Sequence, residues 1–198
     1  MNARDDLARL RADIQFEDRL RGHRFLFRTT WGLFSPRAID EGTRLLVERL
    51  ELEPDADALD LGCGYGPIGL VMARLAPRGR TLMVDKDFVA VRYANRNLEV
   101  NGIGNAQARL SNGFDRIDAG RRFDVIAANL PAKVGKELLT LYLHDALARL
   151  RPGGQIYLVT VSGLRQFIKR NLEAVFGDYE KLKQGRAYTV ARATRPIL

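Results

Sequence analysis

The order of apolar and polar positions along the chain changes period several times. Leu7, Leu10 and Ile14 stand at helical spacing among charged residues, which predicts a surface helix within residues 1–20 that packs on the rest of the protein. Residues 23–34 alternate aromatic with basic or polar groups through His23, Phe25, Phe27 and Arg28, then reach Trp31-Gly32-Leu33-Phe34, which predicts short strands or a hairpin. Asp40 is placed to cap a helix that uses Thr43, Leu45, Leu46, Val47 and Leu50 before Pro54 ends the segment.

From there short apolar runs alternate with helical patterns. Strands are expected at 57–61, 80–84, 106–110 and 123–128, with helices at 67–76, 87–101 and 135–150 between and after them. Beyond the Arg151-Pro152-Gly153-Gly154 turn come a strand at 155–161, a helix at 164–176 and two antiparallel strands around Gly185. This rhythm belongs to an α/β protein with a parallel sheet. Ligands of such open sheets gather beyond the carboxyl ends of the strands, so Gly62 to Gly66, Asp85, Asn112 and Asn129 converge although they are distant in sequence.

The most telling stretch is Leu59-Asp60-Leu61-Gly62-Cys63-Gly64-Tyr65-Gly66, a strand end running into glycines at every second position. Pro67 follows at the first turn of a helix, where its missing N–H costs nothing. A turn of this kind lets backbone approach a ligand and aims free helix N–H groups at an anionic part of it. A dinucleotide-binding loop would carry glycine at its sixth position, where this chain has Pro67. Thr81-Leu-Met-Val-Asp85 is the next strand, and its terminal carboxylate stands where such folds bind ribose hydroxyls, while Asp87 is the cap of the following helix.

With 198 residues, 46% of them hydrophobic, the chain can bury one good core with a small appendage. The expected division is an N-terminal helix and hairpin extension, 1–34, and a main domain, 35–198. Cys63 is the single cysteine, no leader or long apolar run is visible, and a cytoplasmic protein with no membrane association is expected. The two histidines, His23 and His144, and the lack of a Cys–His cluster speak against a metal site or a histidine triad. A net charge of +8 favours a polyanionic partner. Arg19, Arg21, Arg24 and Arg28 cluster at one end, and Lys181, Lys183, Arg186, Arg192 and Arg195 at the other; the same residues also suit a solvated basic surface.

Asp60 and the glycines at 62, 64 and 66 resemble motif I of the class I methyltransferases that use S-adenosylmethionine. Asn129-Leu130-Pro131-Ala132 resembles the Asn-Pro-Pro-aromatic motif of enzymes that methylate amines conjugated to a ring or carbonyl. Together with Gly32-Leu-Phe-Ser35, Asp40, Gly42, Thr43, Leu45, Ser111-Asn112 and Gly135, these segments resemble the small-domain methyltransferase family from about residue 25 onward. The likeness is to the catalytic half of bacterial small-subunit ribosomal RNA guanine methyltransferases and to short archaeal relatives.

That resemblance implies a Rossmann-like fold with a mostly parallel seven-stranded sheet and an antiparallel C-terminal strand. It implies a cofactor pocket lined by Asp60, Gly62, Cys63, Gly64, Tyr65, Gly66, Asp85, Lys86, Asn112, Gly113 and Asn129. The side-chain oxygen of Asn129 and the carbonyl of Leu130 would accept the hydrogens of the substrate amine, with Pro131 biasing Leu130 toward extended backbone. Ala132 lacks the ring that usually stacks on the target base, so Trp31, Phe34 or Tyr65 would have to supply it. The implied activity is methyl transfer to the exocyclic amine of guanine in ribosomal RNA, on free RNA or the small ribosomal subunit. Alternatives are methylation of a protein side-chain amide or small molecule, and an inactive cofactor-binding RNA-binding or assembly protein.

Overall fold

The computed structural model describes residues 3–130 and 135–197. Helix α1 (Ala3–Arg11) leads into a hairpin of β1 (Ile14–Leu20) and β2 (His23–Thr29). Leu20 pairs with His23, so Arg21 and Gly22 alone make the turn. Their φ values of 49° and 80° are the two left-handed conformations that match a two-residue turn to the twist of the strands. Arg21 is held there by its guanidinium, which donates to the carbonyls of Val47 (3.0 Å) and Leu50 (2.6 Å) at the end of helix α2 (Glu41–Val47).

The expectations for the N-terminal segment need correction. Ile14 lies in β1 opposite Thr29, outside the helix, because Ile14, Phe16 and Leu20 also obey a period of two. That period prevails through packing: the Phe16 ring lies 5.3 Å from Phe27 and edge-on to Tyr65. The shortened helix leaves Leu7 and Leu10 51% and 55% exposed, not packed on the domain. The hairpin expected within 23–34 lies upstream of it, with only β2 in that window.

Among the described residues the second edge of β2 meets no strand. Instead Asn97 and Asn101, one turn apart on helix α4 (Phe88–Val100) and its C-cap, present their amides to it. Asn97 accepts from the Arg28 N–H and donates to the Arg28 carbonyl, and Asn101 does the same for Leu26, all at 2.7–2.9 Å. Two side-chain amides thus act as a short substitute strand, which satisfies buried backbone and closes an edge.

The main sheet contains β3 (Ala58–Leu61), β4 (Thr81–Asp85), β5 (Ala106–Leu110), β6 (Phe123–Asn129), β7 (Leu150–Val161), β8 (Glu180–Gln184) and β9 (Tyr188–Thr194). Their order is β5-β4-β3-β6-β7-β9-β8. Ladders from β5 to β7 are parallel, and β9 runs antiparallel to both neighbours. These bounds lie close to those predicted from spacing, except that β7 starts at Leu150. The glycine turn expected at 151–154 is absorbed as a bulge, pairing jumping from Phe123↔Leu150 to Val125↔Gln155.

Alternation along the strands divides the core between two faces. Ala58, Met83, Ala127 and Val159 face α2, α3 (Pro67–Leu75), α4 and the hairpin, whose Phe25 and Phe27 are fully buried in that same cluster. Leu59, Val84, Ile126 and Leu158 face α5 (Lys136–Arg149) and α6 (Arg165–Phe176). The chain leaves β3 for β4 on one side and returns to β6 on the other, so a crevice opens at the carboxyl ends of β3 and β6. Among the described residues no helix is long and apolar enough to cross a membrane.

Candidate active site

The loop after β3 is shaped by three left-handed glycines, Gly62 (φ 74°), Gly64 (55°) and Gly66 (103°). Gly62 and Cys63 both donate to the Val84 carbonyl at 2.9 Å, pinning the loop to the end of β4. Among the described residues nothing lies within 4 Å of where a side chain on Gly62 or Gly64 would begin, whereas one on Gly66 would strike Met83 and Leu70. The first two therefore border open space, and the third lets helix α3 pack against the sheet.

Asp60 is fully buried beneath this loop. Its Oδ2 accepts from Gly69 N at 2.8 Å, while Oδ1 has no partner among the described residues. Burial, with the nearby Asp85 charge adding to it, pushes its carboxyl up to about 7. Burial likewise drives the Cys63 thiol well above its ordinary value.

Asp85 ends β4 and receives one backbone N–H on each oxygen, Gly64 N on Oδ2 and Asp87 N on Oδ1, both at 2.9 Å. Each oxygen keeps lone-pair capacity for a hydroxyl donor. Lys86 is exposed, and Asp87 caps α4 by accepting from Val89 N at 2.8 Å. The next strand end is joined on by Ser111 N, which donates to the Asp85 carbonyl at 2.8 Å. Asn112 then stands exposed, touching Asp115 at 3.3 Å. Gly113 has φ 56°, and a side chain there would begin 2.5 Å from the Tyr142 ring. Tyr142 of α5 thus lies against this part of the crevice, a neighbour that no local sequence signal announced.

Asn129 terminates β6. The β3–β6 ladder ends at Asp60↔Ala127, so two further residues on each strand bring Asn129 level with Gly62. Its Nδ2 donates to Thr43 Oγ1 (3.0 Å) and Asp40 Oδ1 (3.2 Å). Asp40 also caps α2, as its position predicted, by accepting from Thr43 N at 3.0 Å. Leu130 N donates to Val159 O at 2.9 Å and its side chain is buried, so neither its N–H nor its side chain is available to a ligand. Pro131 and Ala132 lie outside the described residues.

Of the three candidate stacking rings, Tyr65 is buried, with Phe16 and Phe27 edge-on to it and its hydroxyl donating to the Ser35 carbonyl at 3.2 Å. Its ring therefore has no open face and holds the 35–38 segment in place. Trp31 and Phe34 are 42% and 65% exposed, and the Arg37 guanidinium covers the Trp31 ring at 4.6 Å. The basic clusters also divide. Arg21 is committed to the end of α2 and Arg192 to Glu51 and Glu180, whereas Arg19, Lys181, Lys183 and Arg186 are exposed.

A separate depression of about 900 Å³ lies at the opposite, amino end of the strands, lined by Arg21, Asp124, Arg151 and Gln155. Arg151 there bridges Asp57 and Asp124. None of the strand-end residues described above lines it.

Residues 24–192 match the model of the methyltransferase small domain family. The chain is 32% identical over 181 residues to the protein YbxB of Bacillus subtilis, covering 89% of each. It is 31% identical over 171 residues to the ribosomal RNA small subunit methyltransferase C of Hamiltonella defensa, covering 84% of this chain and 49% of that protein. Among solved structures, the T. thermophilus 16S rRNA N2 G1207 methyltransferase in complex with AdoMet and guanosine superposes with a TM-score of 0.84 at 32% identity, over 92% of this chain and 50% of that one. The chain thus spans about half the length of both ribosomal RNA methyltransferases.

Proposed function

Since the chain belongs to the methyltransferase small domain family, we propose that it transfers methyl from S-adenosylmethionine to the exocyclic amine of guanine in small-subunit ribosomal RNA. The observation that carries this reading is Asn129. It stands at a strand end beside the glycine loop, its amide nitrogen held within the protein and its Oδ1 without a donor among the described residues. The T. thermophilus relative, with AdoMet and guanosine together, supports the pairing of cofactor and base.

The residues present fit the cofactor. Open space over Gly62 and Gly64 admits its methionine part, the unpartnered Asp60 Oδ1 suits an ammonium, and the Asp85 oxygens suit ribose hydroxyls. When bound it supplies a sulfonium-activated methyl group. Asn129 Oδ1 and the Leu130 carbonyl would accept the two amine hydrogens and aim the nitrogen at the methyl carbon. They would also stabilise the positive charge that grows on nitrogen, after which solvent takes the proton. No strong base is needed, because orientation of this kind is worth roughly 7–11 kcal/mol. Of the three candidate rings Trp31 and Phe34 are the exposed ones, and stacking of either on the base would be worth on the order of 1–3 kcal/mol.

The test is incubation with tritiated cofactor and small ribosomal subunits, or their RNA, from cells lacking the protein, followed by nucleoside analysis. Label in a guanine exocyclic amine is expected. Label confined to protein or to small metabolites, or none at all with the cofactor bound, would reject the reading.

A further inference from the structure

The amide of Asn129 has two ends of similar shape, and only one suits an amine. Turned over about its Cβ–Cγ bond, the side chain would point Nδ2 donors at a substrate nitrogen that is itself a donor. Both rotamers are open to an asparagine whose surroundings are indifferent. Here they are not indifferent. Asp40 Oδ1 lies 3.2 Å and Thr43 Oγ1 3.0 Å from Nδ2. A carboxylate has no proton to give, so the group that faces it must be the amide's NH2. The reversed rotamer would set the Asn129 oxygen against the Asp40 oxygen at the same separation and lose that bond, while the Thr43 hydroxyl, which can donate as well as accept, would tolerate either rotamer, so the choice rests on Asp40.

Resting on the function proposed above, we infer that Asp40, seconded by Thr43, is a positioning residue for methyl transfer that presets Asn129 with its carbonyl toward the substrate amine. The carboxylate also polarises the amide it receives, drawing positive charge to Nδ2 and leaving Oδ1 a stronger acceptor for a nitrogen that becomes cationic. Its own placement is fixed from two sides. The same Oδ1 accepts from Thr43 N at the start of α2. Gly42, where any side chain would begin 2.8 Å from the Tyr188 ring and 3.0 Å from Asp40 Oδ1, leaves room for both groups beside the start of α2. Helix α2 is thereby tied to the chemistry through a residue whose sequence context suggests only a helix cap.

The experiment separates capping from positioning. Asp40→Ser keeps a capping oxygen but is too short to reach Asn129, and Asp40→Asn keeps an oxygen at full reach. Thr43→Val keeps the backbone N–H and the side-chain volume while removing the second acceptor, and serves should the serine variant fail to fold. For Asp40→Ser, kcat on the RNA substrate should fall about 10- to 100-fold, with KM, cofactor affinity and melting temperature close to wild type. Asp40→Asn should recover most of it. In the free protein, the Asn129 side-chain NH2 protons should exchange slowly with solvent by NMR, and faster in Asp40→Ser and Thr43→Val. An unchanged kcat in both Asp40→Ser and Thr43→Val, or NH2 exchange as fast in wild type as in those variants, overturns the inference. Wild-type protein that methylates no RNA would sink the functional proposal instead, and the exchange measurement would still judge the orientation.

Discussion

Asp60 shows what one buried acid does to the stability of its host. Its carboxyl is raised from 3.8 to about 7 by burial, so the folded protein holds this proton more tightly than the unfolded chain. The stabilisation that protonation brings is complete below about pH 4 and is lost as pH rises through 7. Compared with Asp60→Asn, the wild type should gain roughly 2–3 kcal/mol in urea unfolding between pH 8 and pH 5. Equal pH slopes for the two proteins would show that the carboxyl titrates normally. At the rim of the same loop, Asp85→Ala should weaken cofactor binding in calorimetry with little effect on unfolding, because each oxygen holds only one backbone partner. Asp60, the glycines and Asp85 were legible in the sequence because strand, turn and strand follow one another within a short stretch of chain. The Asp40–Asn129 hydrogen bond was not, since 89 residues separate the partners and each has a sufficient local explanation, one as a helix cap and the other as a strand end. Tyr142 escaped for the same reason: nothing in its own helix records that it lies against Gly113.

At the scale of elements, the α/β alternation was legible because the central strands β3, β4 and β6 are short apolar runs, whereas the edge strand β5 alternates alanine with Gln107 and Arg109. The N-terminal segment misled because Ile14 satisfies a helical spacing from Leu7 and a strand spacing to Phe16 at once, and only the packing of Phe16 on Phe27 decides between them. The bulge in β7 was hidden for the opposite reason, a glycine-rich run that looked like a turn being accommodated inside a strand. The hairpin is expected to unfold with the main sheet, given that Phe25 and Phe27 share its core. Phe27→Ala should cost about 3–5 kcal/mol and lower the midpoint of a single denaturation transition. A second, separate transition would mean that the hairpin is an independent unit.

Over the whole molecule, the +8 charge matters only through the cations left over after internal pairing. Charge reversal at Lys181, Lys183 and Arg186 should weaken RNA binding at modest salt and flatten its salt dependence by about 0.7–0.9 for each phosphate no longer neutralised. Arg192→Gln should leave that slope alone, its guanidinium being spent on Glu51 and Glu180. Equal slopes in all variants would move the docking surface elsewhere. The side-chain closure of β2 has a consequence for how the protein ages. Asn101 precedes Gly102, the dipeptide most prone to lose its amide nitrogen by attack of the following N–H, and here that N–H is occupied by the Glu99 carbonyl at 3.0 Å. The native state therefore shelters the site, while an unfolded chain does not. Once converted to an acid, residue 101 would confront the Leu26 and Asn97 carbonyls with a second acceptor in place of a donor. Each excursion through the denatured state should then strip some molecules of the ability to return. Peptide mapping after repeated thermal cycling should find the lesion in the fraction that stays unfolded, and finding it equally in the refolded fraction would refute the idea.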